Sequence, residues 1–92
     1  MIKMKPQIRD LRVVINSLGT DKKIQRHYND KRVNGGRIKA YFDSEVTSII
    51  HTLGLIENRL DLLFPGNVFK VEQYNDRAIT VKWEDKDVTF SR

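Results

Sequence analysis

The chain has 92 residues, with 17 Lys and Arg against 12 Asp and Glu for a net charge of +5, and no cysteine. That length suits one domain and leaves no room for a second of ordinary size, while the missing cysteine excludes disulfides, thiolate metal sites and thiol nucleophiles. The early lysines have no apolar segment behind them and no apolar run approaches membrane-spanning length, so the expectation is a cytoplasmic protein with no signal peptide and no membrane partner.

The charge is uneven. Residues 1–39 carry eleven Lys and Arg against three Asp, a balance of +8, whereas residues 40–92 carry six against nine, a balance of −3. A field of that kind draws polyanions to one end of the molecule and raises the on-rate of a nucleic acid. It also serves plain solubility, so charge alone does not name a partner.

Residues 7–18 place Ile8, Leu11, Val14 or Ile15, and Leu18 at helical spacing, with Pro6 suited to a first turn and Gly19 suited to the stop. Arg9, Arg12 and Asn16 fall on the opposite side.

Residues 20–42 allow two readings. In one, Thr20 caps a short helix to about Asn29, and Asn34-Gly35-Gly36 is a loop before a strand from Arg37 to Phe42. In the other, Gln25 to Val33 is itself a strand and Asn34-Gly35 is a tight hairpin turn. The Asn-Gly pair favours the hairpin, and Asn29 and Asp30 weaken its first arm. The second arm is clear in both: Ile38, Ala40 and Phe42 face one way, and Arg37, Lys39 and Tyr41 the other.

The stretch from Ser44 to Phe64 carries Val46, Ile49, Ile50, Leu53, Ile56, Leu60, Leu63 and Phe64 mostly three or four apart. With Asp43 before it as an N-cap and Pro65-Gly66 after it as a stop, it predicts one long amphipathic helix. Leu55 and Leu62 lie seven apart and off the main seam, and with Phe64 they mark an interface for another protein or for a second subunit in a homodimer.

Three short segments with period-two patterning follow. Asn67 to Tyr74, Ala78 to Trp83 and Asp87 to Ser91 are joined by short polar links, which predicts an antiparallel meander. The expected fold class is α+β: an N-terminal helix, a basic hairpin or helix-plus-strand segment, a long central helix and a C-terminal three-stranded antiparallel meander. It forms a single domain over 1–92, with a helical and basic half at 1–64 and the meander at 67–92.

The candidate functional residues are the cations and rings of the basic segment: Lys22, Lys23, Arg26, His27, Tyr28, Lys31, Arg32, Arg37 and Lys39. Lysine and arginine neutralise phosphates, and tyrosine stacks on unpaired bases. The spacing matches no zinc finger, aromatic RNA-recognition strand, basic zipper or Gly-x-x-Gly loop. A helix-turn-helix can be drawn with residues 20–29 as the recognition helix, although Ile24 and Tyr28 are few anchors for it.

Catalysis has little support. Asp76, Glu84 and Lys86 occur in an order compatible with a magnesium-dependent nuclease, but charged turn residues produce that pattern readily. His51 has no partner at metal-ligating spacing, His27 has only Asp30 nearby, and no serine has a base and an orienter. The expectation is a small non-enzymatic protein without cofactor that binds DNA or RNA through residues 22–39. The alternative is an adaptor or inhibitor that engages an acidic protein surface.

Overall fold

The structure, a computed structural model, describes residues 6–19, 22–30 and 36–85, with Asp30 and Asp85 described by their backbone alone. Helix α1 runs Ile8–Ser17. Its start is fixed by Asp10, whose carboxylate accepts the Gln7 N–H at 2.8 Å, an orphan donor that a helix N-terminus otherwise leaves to solvent. Gly19 ends it at φ 77°, where a side chain is strained, and donates its N–H to the Asn16 carbonyl at 3.1 Å. Leu11, Val14 and Ile15 are the buried residues of the helix.

Strand β1, Ile24–Asp30, and strand β2, Gly36–Phe42, pair antiparallel with Ile24 opposite Phe42 and Tyr28 opposite Lys39. Residues 24–30 are thus strand, which removes the helical reading of 20–29 and the helix-turn-helix with it. The Asn34-Gly35 turn lies outside the described residues. Burial alternates strictly along β2, with Ile38, Ala40 and Phe42 inward.

The long helix expected from Ser44 to Phe64 is corrected. A 3-10 helix occupies Thr47–Thr52, and the α-helix α2 covers only Leu53–Leu63. The reason lies in residue type. Val46, Thr47, Ile49, Ile50 and Thr52 are β-branched and poor helix formers, and the Thr52 hydroxyl donates back to the Ile49 carbonyl at 2.6 Å. Asp43 does not cap this segment; its Oδ1 accepts the Lys23 N–H at 3.3 Å and clips the start of β1 to the end of β2. The expected stop holds its place: the Phe64 N–H donates to Leu60 and the Asn67 N–H to Phe64, turning the chain at Pro65-Gly66 into strand β3, Asn67–Asn75.

The separate C-terminal meander is also corrected. Strand β4, Ala78–Asp85, pairs with β3 on one side and with β2 on the other, giving one continuous antiparallel sheet of order β1-β2-β4-β3. The third meander strand expected at 87–91 lies outside the described residues. A lone two-stranded hairpin is marginal in water, and joining β2 to β4 lets two hairpins share one core. Phe69, Val71, Ile79, Val81 and Trp83 meet Leu11, Ile15, Ile56, Leu60 and Phe64 there, so both helices lie over the same face. Among the described residues no helix is long and apolar enough to cross a membrane.

Candidate nucleic-acid interface

Because the helices cover one face, alternation along each strand delivers the opposite set of side chains to the other face. Arg26 and Tyr28 come from β1; Arg37, Lys39 and Tyr41 from β2; Thr80, Lys82 and Glu84 from β4; and Lys70, Glu72 and Tyr74 from β3. No described helix or loop spans this surface from above. The described side chains on it comprise five cations, Arg26, Arg37, Lys39, Lys70 and Lys82, against two carboxylates, Glu72 and Glu84, and Asp30 stands opposite Arg37 in the register.

One end of it carries a row of tyrosines. The Tyr28 and Tyr41 ring centroids are 5.7 Å apart with planes at 90°, and those of Tyr41 and Tyr74 are 6.5 Å apart at 74°. This is the edge-to-face arrangement that ring quadrupoles favour. Two cations complete the row: Arg26 lies 4.8 Å from the Tyr41 centroid and Lys39 Nζ lies 3.8 Å from that of Tyr74. Tyr41 is half-buried between its neighbours, whereas Tyr28 and Tyr74 are 55% and 52% exposed.

Ala78 explains how rings from β2 and β3 meet across the intervening β4. It pairs with Tyr41 on one side and with Asn75 on the other, and it faces away from the helices, yet it is fully buried. A methyl group there leaves room for the two rings to converge above it.

Farther along the face, Lys82 Nζ lies 3.6 Å from Glu72 Oε1, an exposed pair that contributes little to stability and keeps both groups solvated. Beside the tyrosine row, Arg26, Tyr41, Glu45, Asn75, Asp76 and Arg77 line a shallow depression of about 530 Å³. The β3–β4 turn beside it is held by Asn75, whose Oδ1 accepts the Arg77 N–H at 2.8 Å.

Of the residues singled out in the sequence, Arg26, Tyr28, Arg37 and Lys39 come together on this face. Lys22 and Lys23 do not join the row. They line a separate cleft of about 230 Å³ with Arg12, Ile15 and Asn16 of α1, and Lys22 donates to the Ser44 hydroxyl at 2.9 Å. His27 sits opposite Ala40, on the helix side of the sheet, half-buried. Lys31 and Arg32 lie outside the described residues. Leu55 and Leu62 are exposed on α2, at 50% and 80%, but Phe64 is buried in the core with its centroid 6.0 Å from that of Phe69, so it offers no surface to a partner.

Tyr74, Lys70 and Lys82 belong to the face and were not among the expected residues. Their signal is the polar phase of the alternation in β3 and β4. Asp76 and Glu84 stand at opposite ends of β4, too far apart to share a metal ion, and Lys86 lies outside the described residues. Among the described residues no group of three or more His, Asp or Glu side chains is placed to hold one. No protein-family model, curated protein or solved structure matches the chain.

Proposed function

We propose that the chain is a small, non-enzymatic nucleic-acid-binding or accessory protein of the cytoplasm, contacting phosphates with the basic segment 22–39. In this reading the contacts are made by Arg26, Arg37 and Lys39 of that segment, through the uncovered face of the sheet. The observation that carries it is the tyrosine row with Arg26 and Lys39 lying over its rings. Cations beside exposed aromatic rings offer a nucleic acid both of the groups it needs, one for phosphate and one for base.

The test is fluorescence anisotropy of labelled DNA and RNA, single-stranded and duplex, titrated at several salt concentrations. Binding is expected to weaken log-linearly with salt. A double variant, Arg26→Ala with Lys39→Ala, is expected to lower the slope by about 1.4 to 1.8, since each lost phosphate contact removes about 0.7 to 0.9. If nothing binds at low salt, the reading fails and an acidic protein surface becomes the partner to pursue.

The exposure of Leu55 and Leu62 on α2 supports a second reading, a homodimer contact on the side of the molecule away from the sheet face. Sedimentation at micromolar concentration tests it. A dimer that Leu62→Lys dissociates supports the reading, and a monomer at all concentrations removes it.

A further inference from the structure

We infer that the ligand of the tyrosine face is an unpaired strand, with two or three successive bases laid across the sheet from Tyr28 to Tyr74. The inference rests on the nucleic-acid reading above and adds which form of nucleic acid the face takes.

Three observations lead to it. The first is exposure. A duplex offers a protein its phosphates and groove edges while its bases stay stacked inside, so cations alone would suffice for it. Here one end of the face is aromatic, and the two outer tyrosines are 55% and 52% exposed.

The second is spacing. The tyrosine centroids step by 5.7 and 6.5 Å, whereas stacked bases follow each other at about 3.4 Å. Neighbouring bases that each meet a ring must therefore part from one another. A single strand does this freely, and a duplex must first melt.

The third is that no groove reader stands on this face among the described residues. The described helices lie against the other side of the sheet, and the face itself is built from four strands without a projecting element among the described residues. Such a platform suits stacking rather than entry into a major groove.

The tyrosines have different parts in this arrangement. Tyr28 and Tyr74 are the platforms. Tyr41 is a positioning residue, held from one side by Arg26 and touching both neighbours. Lys39 Nζ lies 3.8 Å over the Tyr74 ring, so it swings off that face when a base settles there and is then placed to meet the phosphate. The row takes one ring from each of β1, β2 and β3, so the strand runs across the β-strands and the stacked site is short.

The experiment uses the full chain with labelled eight-nucleotide thymidine and uridine oligomers and a DNA hairpin duplex of similar charge, at about 150 mM salt, the physiological strength at which exposed charges are screened beyond about 8 Å. Single strands are expected to bind at least about tenfold more tightly than the duplex. Tyr28→Leu and Tyr74→Leu are each expected to weaken single-strand binding by about tenfold or more, and Tyr28→Phe to leave it within about twofold, because stacking needs the ring and not the hydroxyl. Circular dichroism and thermal melting of each variant show that the fold persists.

Equal affinity for duplex and single strand, with the leucine variants neutral, would overturn the inference while leaving the broader nucleic-acid reading in place. A chain that binds no nucleic acid at low salt but does bind polyglutamate overturns both.

Discussion

The Glu57 carboxylate accepts the Val71 backbone N–H at 2.9 Å, so helix α2 satisfies a donor on the outer edge of β3. The far edge of the sheet is treated in the opposite sense: Arg12 of α1 donates to the Ile24 carbonyl of β1 at 2.8 Å. Each edge strand would otherwise present a row of open backbone groups, a template for pairing with another chain. One side chain from each helix thus blunts one edge and fixes the helix over the sheet.

Glu57→Ala is expected to destabilise the protein by about 1 to 2 kcal/mol, as a charge-assisted hydrogen bond is lost and the Val71 donor is left to water. Glu57→Gln should cost less, because its amide oxygen still accepts. Urea denaturation separates the two through a lower midpoint at constant slope, and light scattering should show the alanine variant associating more readily at high concentration.

Gly36 pairs directly with Trp83, and a Cβ placed on it would run into the indole, with Cε2 only 2.7 Å away. The ring is rigid and packed against Phe69, centroids 6.0 Å apart, so it cannot yield as a flexible chain end would. Gly36→Ala is expected to cost about 1 to 3 kcal/mol, the usual range for overpacking. Adding Trp83→Leu should make the two changes non-additive; strict additivity in thermal denaturation would remove this explanation.

Leu60 and Leu62 are two residues apart on α2 and have opposite surroundings, at 1% and 80% exposure. Leu60→Ala should cost about 2 to 5 kcal/mol, the range for emptying a core position. Leu62→Ala should change monomer stability by less than about 0.5 kcal/mol. Similar costs at the two positions in denaturant titrations would mean that the helix is rotated.

The same glycine-to-alanine change is expected to act in opposite directions at two sites. Gly19 has φ 77°, and alanine there should cost about 1 kcal/mol. Gly54 lies in α2 with open space around its Cα, where alanine should stabilise by about 0.5 to 1 kcal/mol. Melting temperatures of the two variants should move apart.

What was legible in the sequence was local. Ile38, Ala40 and Phe42 alternate strictly with Arg37, Lys39 and Tyr41, and burial in β2 follows that pattern. Gly19 and Pro65-Gly66 marked true stops because φ and the missing proline N–H act within one turn. The β2–β4 pairing was not legible, since a period-two pattern tells which way a side chain faces and not which strand lies beside it. The connection from Asp43 to Gly66 carries no signal for that choice. For the same reason nothing joined Tyr74 to the basic segment: its contact with Tyr41 depends on the sheet being continuous across β4. The apolar spacing after Ser44 suggested more α-helix than the β-branched residues support.

Tyr41 belongs to the first hairpin and Tyr74 to the second, with β4 inserted between them. The row of rings therefore has no counterpart in either half of the chain. During synthesis β1 and β2 emerge early, yet the surface stays incomplete until the ribosome has made β4 and that strand has docked against β2. Under the proposed reading, a nucleic acid is engaged only by a chain whose sheet has closed at its centre, and binding reports that closure, since a ligand bound by the closed form alone shifts the equilibrium toward it.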